Sequence, residues 1–233
     1  MQPDASYGGR SVQRSCILCL SPATGPVDLC RACIDLLPEQ GPACERCALP
    51  LLVGQRCGAC VTRPPPFSRA RVPFLYSYPL DALIKAAKFS NRLDYLNHLG
   101  RIMADRLRYA GVHPPECLVP VPLHWRRLVT RGYNQALELA RPLARELGVP
   151  LCTGVCRRSR YTEPQTGLSA RDRARNVRSA FRVARVLPYR HIALVDDVLT
   201  TGSTARELAR VLLSTGAASV EVWALARAAP GQA

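Results

Sequence analysis

The sequence predicts an α/β protein: a doubly wound parallel sheet preceded by a small metal-bound ribbon module. Three observations lead there. Eight of the 11 cysteines fall in four CxxC pairs between residues 16 and 60. A proline-rich stretch follows them. Beyond it, short apolar runs alternate with amphipathic segments of helical length, the pattern of a parallel sheet with crossover helices.

The pairs are Cys16/Cys19, Cys30/Cys33, Cys44/Cys47 and Cys57/Cys60, separated by 10, 10 and 9 residues. A CxxC turn sets two thiolates on one side of a tight knuckle. Two knuckles complete a tetrahedral S₄ site suited to Zn²⁺, so eight ligands imply two zinc ions. Every coordination position is taken by protein, which makes the zinc structural. The rivals are disulfides and iron–sulfur clusters, the latter also held by four thiolates. Disulfides are disfavoured because "MQPDASYGGRSVQRSC" carries no apolar signal segment. The knuckles can pair in sequence or interleave. Metal binding can supply about 10 kcal/mol or more to so small a module. Cys117, Cys152 and Cys156 read as small buried apolar residues.

"VTRPPPFSRARVP" holds four prolines and reads as a stiff spacer. It divides the chain into a double ribbon with its linker, residues 1–66, and a second domain, residues 67–233. The net charge of +15 is concentrated in the latter, with 26 Lys/Arg against 12 Asp/Glu. That surplus suggests a polyanion or a phosphorylated ligand. Arginine supplies 30 of the 32 basic residues, so compositional bias is the plain alternative. No apolar run approaches the roughly 18 residues of a membrane span. The expectation is a cytoplasmic protein with no membrane insertion.

In the second domain "PLDALIKAAKF" and "LDYLNHLGRIMADRL" carry helical spacing. "CLVPVPL" reads as a strand entering a proline-locked loop. "GYNQALELARPLARELG" reads as a helix stopped at Gly148, with a kink at Pro142. "VPLCTGV" and "AFRVA" are strand candidates, and "SARDRARNV" a short helix. "IALVDD", "STARELARVLLSTGA" and "SVEVWALA" close the domain as strand, helix and strand.

The stretch "IALVDDVLTTGST", residues 192–204, carries the chemistry. A greasy strand ends on Asp196 and Asp197, where ligands sit in such sheets. Thr200, Thr201, Gly202, Ser203 and Thr204 then turn into a helix. Their amides and hydroxyls can wrap a phosphate at the helix N-terminus. A phosphate beside two carboxylates is repulsive unless something separates them. A ribose does so, with its diol on the acids and its 5′-phosphate in the loop. The reading fails if those two side chains are buried in salt links, or if the loop is collapsed and cannot admit an anion. An Asx-type turn would need one such residue, not the whole set. No Gly-Lys-Ser/Thr follows, which excludes a P-loop.

These residues resemble the 5-phosphoribosyl-1-pyrophosphate (PRPP) motif of type I phosphoribosyltransferases. The resemblance implies Asp196 and Asp197 on the ribose hydroxyls, and Thr200–Thr204 on the 5′-phosphate. With the CxxC knuckles, "LVPVPLHWRRLVTRGYNQALELA", "RRSRYTEPQTGLSARDRARNVRSAF", "VDDVLTTGSTA" and "LAR", the chain from Cys16 to Arg227 is similar to the ComF family. Its members join a double zinc ribbon to a phosphoribosyltransferase domain and are linked to DNA uptake in natural transformation. The implied cofactors are two structural zinc ions, and Mg²⁺ together with PRPP.

The resemblance also implies a pyrophosphate loop at residues 119–127. There Val121 and Leu123 keep main-chain donors that Pro120 and Pro122 lack, and Arg126, Arg127 and Arg131 are diphosphate candidates. Their alternative is a basic loop facing solvent or DNA. Asn134 and Gln135 either orient a ligand or cap a helix. Arg157, Arg158, Arg160, Tyr161, Thr162 and Gln165 fall in a segment that resembles the mobile loop closing over PRPP. The same arginines with Tyr161 could hold single-stranded DNA. Among His98, His113, His124 and His191 only His124 lies near the site. Residues 74–110, with Lys88 and Phe89, are the segment left to cover an acceptor. Two functions follow, beside a third reading in which the chain is a scaffold that keeps the fold without the ligand. One is a PRPP-binding protein of the DNA-uptake machinery that handles single strands, its ribbons docking a helicase-like ATPase. The other is an active transferase of nucleotide salvage that displaces pyrophosphate from PRPP. The acceptor is not legible.

Overall fold

The computed structural model describes residues 14–90, 92–158, 179–185 and 187–229. The chain forms two compact units, residues 1–37 and 38–233. Each contains one cysteine tetrad, and both tetrads are built alike.

In the first unit a hairpin bridge pairs Ser15 with Pro22 across the Cys16–Cys19 knuckle. Helix α1 (Arg31–Asp35) starts directly after Cys30, so the second knuckle lies on its first turn. Val27, Leu29 and Leu37 supply a small buried core. In the second unit Ala43 bridges Pro50 across the Cys44–Cys47 knuckle, and α2 (Gly58–Thr62) starts directly after Cys57. The tetrads are therefore sequential, not interleaved.

The rest of the second unit is built on five parallel strands. They are β1 (Arg69–Arg71), β2 (Phe74–Leu75), β3 (Cys117–Pro120), β6 (His191–Leu199) and β7 (Ser219–Arg227). The order is β1-β7-β6-β3, with β2 continuing the β1 edge beside β7. Part of the proline-rich stretch that reads as a spacer is thus an edge strand, where missing N–H groups cost least. A separate antiparallel pair, β4 (Cys156–Arg158) and β5 (Phe181–Val183), stands apart from the sheet. It takes up the "AFRVA" strand, whereas "VPLCTGV" contributes one bridge, Leu118 to Leu151.

Strand alternation distributes the core over two faces. Ile192 and Leu194 of β6, with Val220 and Val222 of β7, pack in one cluster with Ala205, Leu208, Ala209 and Leu212 of α7 (Ser203–Ser214). The intervening Ala193, Val195, Trp223 and Leu225 are also buried. Helices α3 (Leu80–Phe89), α4 (Leu93–Tyr109) and α6 (Gln135–Leu147) complete the unit, with α6 against β3 and β6. Helices α4 and α6 pack so closely that a Cβ on Gly100 would stand 2.5 Å from Pro142 Cγ and 2.6 Å from the Leu139 carbonyl oxygen. Pro142 lies inside α6 and is buried against this contact. No described helix is long and apolar enough to cross a membrane.

Candidate functional site

At the carboxyl ends of β3 and β6 lies a cleft of roughly 480 Å³. Its walls gather most of the residues nominated from sequence. Asp196, Asp197, Thr200, Gly202, Ser203 and Thr204 form one side. Val121, Leu123, Arg127, Arg131, Asn134 and Gln135 come from the segment after β3, and Lys88 and Phe89 from the end of α3. Tyr76, Lys85 and Arg158 also line it.

The acidic pair lies inside β6, which runs on through Val198 to Leu199 rather than ending on the acids as the sequence suggests, because Val198 and Leu199 still pair with β7. The residues before the pair, Ile192 to Val195, are all buried. The Asp196 carboxylate accepts from the Asp197 N–H at 2.9 Å, and Asp197 accepts from the Val198 N–H at 2.9 Å. Lys88 Nζ stands 2.5 Å from Asp197 Oδ2. Burial pushes the Asp196 carboxyl up, the neighbouring Asp197 charge adds to this, and it titrates at about 8. Burial works in the same direction on Asp197, but the Lys88 ammonium outweighs it and holds that carboxyl below the ordinary range. Lys88 is itself half-buried, and its desolvation disfavours its charge, yet the Asp197 carboxylate keeps its ammonium raised. Near neutral pH the trio is a proton-bearing Asp196 beside an Asp197–Lys88 ion pair. Of the two acids it is Asp197 that is tied in an ion pair, with Lys88. The cause is that α3 delivers a lysine from about 110 residues upstream, which no local pattern reveals.

The segment after β6 turns at Gly202, whose φ of 73° lies in the left-handed region that favours glycine. Thr201 Oγ1 lies 2.8 Å from Ser203 Oγ; Thr201 lines a small cavity near Cys47 and Cys57 rather than the main cleft. The opening turn of α7 supplies N–H groups that have no intrahelical partner by helix geometry.

Opposite, Val121 donates its N–H to the Val195 carbonyl at 2.9 Å, so that donor serves the sheet rather than an anion. Asn134 accepts from the Ala136 N–H at 3.1 Å and donates to the Val121 carbonyl at 2.9 Å. It caps α6 and fixes the loop in one act. A helix not apparent from the sequence, α5 (Trp125–Arg131), places Arg127 and Arg131 on the cleft. Arg126 lies off the lining, with its guanidinium over the Trp125 ring at 5.4 Å. His124 caps α5, accepting from the Arg126 N–H at 3.2 Å; burial, then Arg158, lowers its pKa. On β4 the period of two turns Arg158 inward and Arg157 outward. Burial lowers Arg158 to about 10. Arg160, Tyr161, Thr162 and Gln165 lie outside the described residues.

Two positioning residues escaped the sequence reading. Tyr133 donates its hydroxyl to the Ala87 carbonyl, tying the residue before Lys88 to the start of α6. Arg227, buried at the end of β7, donates to the carbonyls of Leu199, Thr200, Ala228 and Cys47. An arginine closing an otherwise apolar strand was the available signal.

The cysteine geometry fits zinc. The four Sγ atoms of Cys16, Cys19, Cys30 and Cys33 lie within 4.8 Å of one another, as do those of Cys44, Cys47, Cys57 and Cys60. Burial disfavours the Cys44 thiolate, but amide donors led by the Cys57 N–H, 3.3 Å from Sγ, outweigh it and bring it to about 6. Such N–H···S bonds favour the deprotonated ligand that zinc requires.

Comparison with known proteins assigns the class first. Residues 134–232 match the phosphoribosyl transferase domain family and residues 13–61 the double zinc ribbon domain family. The chain is 39% identical to DNA utilization protein YhgH of Escherichia coli K12, over 91% of this chain and 96% of that one. It is 38% identical to Competence protein F of Haemophilus influenzae, over 86% and 90%. The chain therefore belongs to the ComF family, a double zinc ribbon joined to a type I phosphoribosyltransferase fold. Solved structures similar to it include TT1426 from Thermus thermophilus (17% identity, 59% of this chain and 85% of that one, TM-score 0.35). Another is the purine phosphoribosyltransferase from Pyrococcus horikoshii (14% identity, 68% and 87%, TM-score 0.30).

Proposed function

We propose that this protein binds PRPP with Mg²⁺ in the cleft and works in DNA utilization and uptake, handling single-stranded DNA. The observation that carries the reading is the gathering of an acidic pair, a hydroxyl-rich helix start and three arginines, Arg127, Arg131 and Arg158, around one cavity. In this assignment Asp196 and Asp197 take the ribose diol and Thr200–Thr204 the 5′-phosphate. Arg131 and Arg127, with the Leu123 N–H, face the diphosphate. Mg²⁺ would supply charge neutralisation between diol and diphosphate; the chain's own residues orient the sugar and exclude water. The DNA role draws on the names of the relatives and on the basic surplus of the larger domain. The ribbons are then free to dock a partner such as a helicase-like ATPase.

Calorimetric titration with PRPP and Mg²⁺ tests this. Wild type is expected to bind, and the Asp196→Asn/Asp197→Asn variant to lose most of its affinity while staying folded. Equal binding by both, or none by wild type, overturns the assignment. A second reading, an active transferase displacing pyrophosphate, is favoured by Lys88, Phe89 and Tyr76 opposite the loop, where an acceptor would lie. Pyrophosphate release with an acceptor panel decides it.

A further inference from the structure

The second cysteine tetrad stands directly behind the phosphate loop. Cys47, Cys57, Thr201, Gly202 and Arg227 line one cavity of roughly 100 Å³. Arg227 joins its two sides. Its Nε donates to the Cys47 carbonyl at 3.1 Å, and Nη1 donates to the Leu199 carbonyl at 2.7 Å and to that of Thr200. The side chain is 6% exposed, and among the described residues no carboxylate pairs with it. A buried guanidinium without a carboxylate is costly unless other groups compensate it. Here the compensation is four carbonyl oxygens, one belonging to a metal knuckle, two at the strand end that launches the loop, and that of Ala228 beside it. A second link runs from the first turn of α7, where Arg206 donates to the Arg63 carbonyl at 3.3 Å, just past α2.

These contacts form a mechanical chain. A metal held by Cys44, Cys47, Cys57 and Cys60 closes the knuckle and fixes the Cys47 carbonyl. That carbonyl orients Arg227. Arg227 in turn holds the Leu199 and Thr200 carbonyls, which sets where the following amides and hydroxyls point. A zinc tetrathiolate also carries about two negative charges, which stabilise the buried guanidinium. The first tetrad lies in the other unit and has no part in this chain of contacts.

We propose that the Cys44/Cys47/Cys57/Cys60 metal site and Arg227 together position the phosphate loop, so that metal occupancy at this tetrad controls affinity for sugar 5-phosphates. The inference rests on the PRPP assignment above and adds the control of that same site. Arg227 is a positioning residue, since it faces the loop's carbonyls rather than the ligand. Coupling of this kind is reciprocal: a ligand that prefers the metal-ordered loop must tighten the metal by the same factor.

The test uses the full chain and ribose 5-phosphate as probe. The Cys16→Ser/Cys19→Ser variant, purified with zinc in the second tetrad, is expected to bind the probe within about twofold of wild type. Arg227→Met weakens binding about tenfold or more, and Arg227→Lys falls between, keeping charge but not the spread of donors. Saturating ribose 5-phosphate raises the concentration of zinc-selective chelator that strips half the second-site zinc by about fivefold or more. Unchanged zinc retention in a chain that binds the probe overturns the coupling, whatever the folding of the Arg227 variants. Failure of wild type to bind either ribose 5-phosphate or PRPP instead overturns the PRPP assignment.

Discussion

Lys88 Nζ and Asp197 Oδ2 meet at 2.5 Å on the wall of the cleft, joining the end of α3 to the end of β6. Asp197 thus keeps its charge and Asp196 its proton. If the acids take a ribose diol as proposed, the cation that compensates Asp197 must be displaced, and opening this ion pair becomes part of the cost of occupancy.

Replacing Lys88 by Met leaves two neighbouring carboxyls without their cation. Removing one partner of a buried pair costs about 3 kcal/mol. The depressed Asp197 value stabilises the fold above the unfolded value of 3.8, and this is lost as pH falls through the lower folded value. Thermal unfolding at pH 7 should therefore show Lys88→Met well below wild type. The double variant Lys88→Met/Asp197→Asn should recover most of the loss. A single variant as stable as wild type would show that the pair is not formed.

Asp196 has the opposite sign. Its folded value of about 8 lies above the unfolded 3.8, so between those limits the folded chain holds the extra proton and stability falls as pH rises. Asp196→Asn removes that slope and should raise the melting temperature by a few °C at pH 8, with little gain at pH 4. Binding that needs the ionised diacid should release a proton. PRPP affinity should then strengthen up to about tenfold per unit between pH 6 and 8, measurable by titration in buffers of different ionisation enthalpy.

The diacid and its loop were legible because one continuous segment carries them, with strand, acids and helix start in register. The four CxxC pairs likewise marked two tetrads, but not their pairing, which the spacing left open between sequential and interleaved and which the local turns, each with its second knuckle at a helix start, decide. The Lys88–Asp197 pair and the Arg227 clamp were not legible in this way. Lys88 was nominated by elimination as part of a covering segment, without its partner. Arg227 reaches the Cys47 carbonyl from 180 residues away, and main-chain oxygens leave no residue type to recognise. The short strands β1 and β2 were hidden by prolines and by lengths of 3 and 2 residues, which no period can mark. Arg127 and Arg158 could be nominated, but their facing was set by α5 and by the antiparallel β4–β5 pair.

Gly100 sets how closely α4 approaches α6. A methyl there meets the Leu139 carbonyl and the Pro142 ring, neither of which can yield as a flexible side chain would. Gly100→Ala should cost about 1–3 kcal/mol by overpacking and push α6 away from α4. Because α6 begins at the Asn134 cap that holds the Val121 carbonyl, PRPP affinity should fall along with stability. Denaturant unfolding and titration on the same sample check both effects. Gly100→Ala with wild-type stability would mean that α4 and α6 do not pack as described.

The arginines of α5 offer a test that distinguishes a diphosphate ligand from a nucleic acid. Arg127 and Arg131 line the cleft, whereas Arg126 stacks over Trp125, whose ring is 62% exposed on a helix with no buried residue. An exposed indole beside a guanidinium suits a stacked base with a neighbouring phosphate. Arg126→Ala should therefore weaken single-stranded DNA and lower its log–log salt slope by about 0.7, the value of one phosphate contact, while PRPP affinity is unchanged. Arg131→Ala should do the reverse, weakening PRPP and leaving the salt slope nearly intact. Trp125→Ala should cost roughly 1–3 kcal/mol of strand binding through lost stacking. If Arg126→Ala leaves the salt slope at its wild-type value, the strand does not run over α5, and the basic surplus serves the cleft alone.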